Sequence, residues 1–192
     1  DSLSKNSKKE LEEILTYFAI NHKNLKHQFS TLSKPGNLEV AVELAVNEND
    51  IDILIMGTQG ATGAKEVFLG SNTVKVLKKV TNIPILTVPT GYNFQSLKSV
   101  LFATDFTVPY KKNGLEPIIE LSKIWKSTIE IVHVSVEFIL NDHQESNKEV
   151  LKERLSGLDY KFKNLPFEID VSKSIDKYAE NSHSSILSLI RH

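Results

Sequence analysis

Ile51-Asp52-Ile53-Leu54-Ile55-Met56-Gly57-Thr58-Gln59-Gly60-Ala61-Thr62-Gly63-Ala64-Lys65-Glu66-Val67-Phe68-Leu69-Gly70-Ser71-Asn72-Thr73 changes character at Gly57. Before that glycine the chain is apolar and rich in β-branched residues, which predicts a buried parallel strand, apolar on both faces. After it, Gly57, Gly60 and Gly63 recur at short spacing, and Gly70-Ser71 opens a helical pattern. A strand that empties into a glycine-rich loop before a helix N-terminus is a place for an anion. Glycine leaves the loop amides uncovered, and the helix end presents unpaired N–H groups with partial positive charge. Ser71 and Thr73 add hydroxyls to the first turn, and Asn72 adds an amide.

Two common phosphate loops do not fit. Lys65 stands between Ala64 and Glu66, so the Gly-x-x-x-x-Gly-Lys-Ser/Thr pattern is absent, and so is Gly-x-Gly-x-x-Gly. What is present is Gly57, two residues, Gly60, nine residues, then Gly70-Ser71. This spacing, after a strand and before a helix, resembles the nucleotide-binding signature of the universal stress protein family, in its ATP-binding branch; the internal repeat described below resembles the family's tandem-domain type.

The resemblance implies an α/β fold. Each repeat would be a doubly wound parallel sheet, Rossmann-like, of the adenine nucleotide α-hydrolase type, with ATP over the C-terminal ends of the strands. It assigns phosphate contacts to Gly57, Gly60, Gly70 and Ser71, with Gln59, Asn72 and Thr73 as neighbours and Met56 under the ribose. The family also has an Asp after its first strand. Ala103-Thr104-Asp105-Phe106-Thr107 resembles that segment, so Asp105 is the matched contact to the adenosine part. Mg²⁺, where present, would be held mainly by phosphates and water.

Composition narrows the remaining choices. The 192 residues allow one large domain or two small ones, and a net charge of -1 offers no global field for nucleic acid. Without cysteine there is no disulfide, thiolate metal ligand or cysteine nucleophile. That composition fits a reducing, cytoplasmic setting. No apolar run is long enough to span a bilayer. Asp1 in place of Met suggests that the native start lies upstream.

In chain order, Lys9 to Ile20 carries Leu11, Ile14, Leu15 and Phe18 at helical spacing. Gln28 to Leu32 reads as a strand ended by Pro35-Gly36. Asn37 caps a helix whose Val40, Ala41, Leu44 and Ala45 face inward. Ser71 to Val80 reads as a helix burying Val74, Leu77 and Val76, and Ile83 to Val88 as a strand. Further on, Lys98–Thr104, Thr128–Val136, Pro166–Val171 and Ser185–Ile190 read as strands. Tyr110–Lys126, Val150–Leu158 and Ser172–Asn181 read as helices, with Asn141–Glu149 a charged connection. Alternating strands and helices predict a parallel sheet.

An internal repeat is expected. Lys23-Asn24-Leu25 recurs as Lys163-Asn164-Leu165, and Lys9-Glu10-Leu11 parallels Lys148-Glu149-Val150, a shift of about 140 residues. Residues 1–90 then form the back of a first repeat, 91–97 a linker, and 98–192 the front of a second. Two incomplete tandem repeats imply a piece of a longer chain; the alternative is a circularly permuted single fold. In the tandem reading Asp105 belongs to the second pocket and the glycine loop to the first. The second repeat has Leu189-Ile190-Arg191-His192 where the first has its glycines, so it is not expected to bind nucleotide by the same loop.

The six histidines show no zinc spacing. His133 reads as a hydrogen-bonded core or sheet-end residue, Lys65 as a surface lysine, and Trp125 and Phe102 as core. Three functions follow: a nucleotide-binding regulatory module of the stress response, a slow ATPase or nucleotidyl-transfer enzyme, or a ligand-free dimerising scaffold. Without a placed base or metal ligands, the residues favour a module over an enzyme. Ile85 to Thr90 would be an exposed apolar edge, expected to form a homodimer by pairing with another chain. Neither nucleic acid nor membrane is an expected partner.

Overall fold

The computed structural model describes residues 2–22, 24, 26–58, 69–94, 96–110, 112–137, 139–182 and 184–190. Its contacts divide the chain into two compact units, Asp1–Tyr92 and Asn93–His192. Among the described residues, no helix is long and apolar enough to cross a membrane.

The first unit contains α1 (Ser2–Asn21), α2 (Leu38–Glu48), β1 (Leu54–Gly57), α3 (Ser71–Lys79) and β2 (Ile85–Val88). β1 and β2 pair in parallel, with Leu54 opposite Ile85 and Gly57 opposite Val88. Parallel pairing needs a crossover, and α3 supplies it. A small core joins the helices to this sheet: Val46 of α2 and Val76 of α3 meet Val80, with Val42, Leu54, Met56, Ile83 and Ile85 packed against them. Only Val46 is fully buried on α2, whereas Val40 and Leu44 are exposed, so the inward stripe is rotated from the expected one. On α3 the deepest apolar residue is Val76, with Val74 and Leu77 half-buried.

Two strand expectations change here. Ile51, Ile53 and Ile55 are exposed, Ile55 at 59%, so β1 is apolar on both faces but buried on one. No strand forms at 28–32; Phe29 instead stacks on Phe18 of α1 with ring centroids 4.8 Å apart. Aromatic contact with a helix replaces a ladder that lacks a partner strand.

The second unit contains β3 (Ser99–Ala103), α4 (Lys112–Trp125), β4 (Thr128–Ser135), α5 (Asp142–Arg154), β5 (Tyr160–Pro166), α6 (Val171–Ser182) and β6 (Ile186–Ser188). The sheet order is β5-β4-β3-β6, and each adjacent pair is parallel. β3, at the centre, is buried along its whole length. Its alternate side chains serve two cores. Val100 and Phe102 join Leu115, Ile118, Leu151 and Leu155 from α4, α5 and the turn after α5. Leu101 and Ala103 join Val132, Leu165 and Ile175 of α6. A helix on each face makes this a doubly wound sheet. Each large apolar side chain removed from water contributes about 1.5–3 kcal/mol, so the two faces together dominate the unit's stability. Leu97, before β3, is buried in the first of these cores.

Two element boundaries and one burial differ from expectation. The charged connection at 141–149 is the first half of α5, closed at its start by a capping box between Asn141 and Gln144. The strand expected at 166–171 lies earlier, at Tyr160–Pro166. Proline is compatible with a strand end, not with the donor positions of its middle. Trp125 is 43% exposed, its ring set edge-on to Phe94 at 5.1 Å, whereas Phe102 is buried as expected.

Candidate functional site

The candidate residues fall into two groups, one in each unit. In the first unit, β1 ends at Gly57 and the chain re-enters described structure at Leu69. Gln59 and Gly60, with Gly63 and Lys65, lie outside the described residues. Gly70 is the N-cap of α3 and, having no side chain, provides no side-chain cap. The first N–H groups of any α-helix have no intrahelical partner, so an uncapped start keeps its attraction for negative charge. Ser71 and Asn72 are exposed at this turn.

Backbone and hydroxyl bonds tie that turn to the strand end. Gly70 N–H donates to the Thr58 carbonyl at 2.6 Å. Thr73 Oγ1 lies 3.0 Å from the Gly57 carbonyl and 3.3 Å from the Thr58 carbonyl, and donates to this pair. Thr73 is buried, and its single proton is engaged with backbone; it anchors the helix to the strand. Met56 packs into the core formed with α2 and α3. Thr58 is only 4% exposed, and its Oγ1 has no hydrogen-bond partner among the described residues. A buried hydroxyl left unpaired costs about 1–3 kcal/mol, which a polar ligand would recover. An orphaned hydroxyl beside an uncapped helix start fits a phosphate group.

In the second unit, a cleft of about 300 Å³ opens at the C-terminal ends of β3 and β4. Its floor is Phe102, Ala103, Val132 and Val134; Val171 and Ile175 of α6 and Leu189-Ile190 after β6 complete it. Thr104, Asp105 and Tyr110 give it polar character. The sheet reverses its winding between β3 and β6, and parallel sheets bind ligands at such a switch point. Arg191 and His192 lie outside the described residues.

Asp105 sits in a tightly determined turn. Its Oδ1 accepts from Thr107 N–H at 2.9 Å and from the Thr107 hydroxyl at 2.8 Å. Phe106 N–H donates to Thr104 Oγ1, whose hydroxyl shares a 2.5 Å hydrogen bond with that of Tyr110. Burial pushes the Tyr110 phenol up; its bond to Thr104 offsets part of that, and the Asp105 charge adds to it. Phe106, buried, has φ of 59°. That left-handed geometry costs a bulky residue about 1–2 kcal/mol, so its surroundings must hold it.

Three side chains do so. His133 Nδ1 meets the Thr104 carbonyl at 3.0 Å; a carbonyl only accepts, so Nδ1 carries the proton. Gln144 Nε2 donates to the Asp105 carbonyl at 2.8 Å, and Asn147 Nδ2 donates to the Phe106 carbonyl at 2.8 Å. Sequence reasoning read His133 as a hydrogen-bonded core or sheet-end residue but missed Gln144 and Asn147, because it read their segment as a connection. The signal was the Asn141-x-x-Gln144 spacing, a capping-box pattern.

The structure thus brings Met56, Gly57, Gly70, Ser71, Asn72 and Thr73 into one region of the first unit, and places Asp105 in the cleft of the second. Among the described residues, no cluster of His, Cys, Asp and Glu could hold a metal ion.

A parallel α/β sheet with a ligand-sized cleft at its switch point defines the class of this protein. Residues 5–89 match the model of the universal stress protein family. The chain is 48% identical over 50 residues to a universal stress protein of Methanocaldococcus jannaschii. That match covers 26% of this chain and only 30% of the relative's length. The crystal structure of a universal stress protein from Archaeoglobus fulgidus is similar with a TM-score of 0.68 at 20% identity, covering 98% of this chain and 67% of that one. At that identity the likeness establishes the fold. A universal stress family protein from Burkholderia pseudomallei is similar over 50% of this chain and 83% of its own, with a TM-score of 0.37 and 17% identity.

Proposed function

We propose that the protein is a nucleotide-binding regulatory module of the stress response, with ATP as its ligand. The observation that carries this reading is the passage from Gly57 to α3, where an uncapped helix start lies beside the orphaned Thr58 hydroxyl. Phosphate oxygens would accept from the amides at Ser71 and Asn72 and from the Ser71 and Thr58 hydroxyls. Gln59 and Gly60 belong to the same proposed cradle. In the second unit, the apolar cleft would take a nucleoside, with the Asp105 carboxylate accepting from its N–H or O–H groups. The two groups of residues are proposed as halves of two sites in a tandem architecture. ATP supplies the charge that such a cradle recognises; this chain's residues bind and orient. Ligand binding would change a surface read by a partner, and a cytoplasmic homodimer through Ile85 to Thr90 is part of the same reading, since β2 pairs with β1 along one edge.

Thermal melting with and without Mg-ATP tests it. A ligand bound only by the native state raises the melting temperature by mass action, by about 2.7 kcal/mol of stabilisation at a hundredfold excess over Kd. Gly70→Asp is the informative variant. Asp is a favoured N-cap, and Gly70 has φ of -58°, so the helix should hold or gain stability while the new carboxylate repels phosphate. The expected result is a rise with ATP in the parent protein and none in Gly70→Asp. No rise in the parent at millimolar Mg-ATP would overturn the reading.

A further inference from the structure

Three consecutive carbonyls, those of Thr104, Asp105 and Phe106, each receive a side-chain donor from outside their own turn. Two of the three donors, Gln144 and Asn147, stand one helical turn apart on α5, which is neither a neighbour in sequence nor a lining element of the cleft. Gln144 is used twice. Its Oε1 accepts from the Asn141 N–H at 3.1 Å in the capping box, while its Nε2 reaches the Asp105 carbonyl. Asn147 is only 5% exposed, and an amide buried to that degree is retained only where its donors are used. The start of α5 and the orientation of the Asp105 carboxylate are therefore one hydrogen-bonded unit.

We infer that Gln144 and Asn147 are positioning residues for Asp105: they hold the 104–107 turn in its left-handed form and so preorganise the carboxylate of a residue that lines the cleft. The geometry stands without any ligand, and only its ligand consequence rests on the reading of Asp105 as a nucleoside contact. Preorganisation matters because a carboxylate fixed in place before binding spares the ligand the cost of ordering it. A turn held at φ of 59° on a phenylalanine would otherwise relax toward conformers in which Asp105 points elsewhere.

Gln144→Glu separates this role from simple stabilisation. Glu keeps the acceptor of the capping box and suits a helix N-terminus, but it cannot donate to the Asp105 carbonyl when ionised. Asn141→Ala is the converse variant: it breaks the cap and leaves Gln144 Nε2 in place. The direct readout is hydrogen exchange of the Thr107 amide, which donates to Asp105 Oδ1, in the unliganded full chain. The second readout is adenosine affinity by calorimetry.

In Gln144→Glu at pH 7 the Thr107 amide should exchange roughly 3–10-fold faster, and adenosine should bind weaker by a similar factor, with little change in melting temperature. Asn141→Ala should lower the melting temperature and leave Thr107 exchange within about twofold. Unchanged Thr107 exchange in Gln144→Glu would overturn the positioning role. Faster exchange with undiminished adenosine affinity would overturn its consequence for binding. Faster exchange in a protein that binds no adenosine in any form would uphold the positioning of Asp105 and sink the nucleoside reading instead.

Discussion

The Tyr178 hydroxyl donates to Glu130 Oε2 at 2.6 Å, from α6 onto β4, and Lys161 of β5 pairs with Oε1 of the same carboxylate at 2.9 Å. Glu130 is buried under α6, so three elements meet on one charge. Burial works to raise the Glu130 carboxyl, but the bonds from Tyr178 and Lys161, with the charges of Lys161 and Lys163, hold it below its ordinary 4.5. For Tyr178, burial together with the bond and charge of Glu130 pushes the phenol up from 10.0 to about 12.

The alkaline limb of stability follows from Tyr178. A raised folded pKa gives a contribution fully present below the unfolded value near 10 and lost as pH rises through about 12. Tyr178→Phe should cost about 1–3 kcal/mol at pH 7 and flatten the loss between those two values. Urea denaturation of both proteins across that window measures it. Parallel curves would refute the pair as its source.

Glu130 sets an opposite, acidic signature. Its folded pKa is depressed, so its contribution is present above the unfolded 4.5 and is lost as pH falls through the lower folded value. Glu130→Gln should lower stability at pH 7 by about 1–3 kcal/mol and weaken the dependence below that unfolded value. Comparing denaturant midpoints at neutral and acid pH checks it; an unaltered acid limb would count against the assignment.

α5 should behave as a packed helix. Leu151 is fully buried, whereas Glu149 and Lys152 form an exposed i,i+3 pair. Leu151→Ala is expected to cost about 2–5 kcal/mol by opening a cavity. Glu149→Ala should stay within about 0.5 kcal/mol, because exposed pairs contribute little. Equal costs for the two would mean that the segment does not pack as described.

The first unit offers a similar contrast. Val76 is fully buried in the core with α2 and β1, and Ile55 points outward. Val76→Ala should destabilise by about 2 kcal/mol and Ile55→Thr by no more than about 0.5 kcal/mol. A larger loss at Ile55, read by thermal melting of the full chain, would show that this face of β1 is covered in solution.

Much of the fold was legible because it rests on local signals. The strands expected at 51–56, 83–88 and 98–104 correspond to β1, β2 and β3, and the helices expected at 110–126 and 172–181 to α4 and α6. Alternation of the two elements was enough to expect parallel pairing. The glycine spacing pointed to the strand-to-helix passage at Gly57 and Gly70, although Gln59 and Gly60 lie outside the described residues. Less legible were elements whose pattern is weak. α5 is strongly polar and buries only Asn147 and Leu151, so periodicity could not find its first half. Residues 28–32 had strand composition without a strand to pair with.

The sequence by itself determined that this is an α/β chain with a glycine-rich passage into a helix, because hydrophobic period, turn residues and motif spacing act over short separations. Only the tertiary structure decided which face of β1 is covered, how β6 comes to lie beside β3, and that the Asp105 turn is held by Gln144 and Asn147 from 39 and 41 residues away. Those contacts depend on where the sheet brings distant backbone carbonyls and amide donors together, and no local pattern encodes that distance.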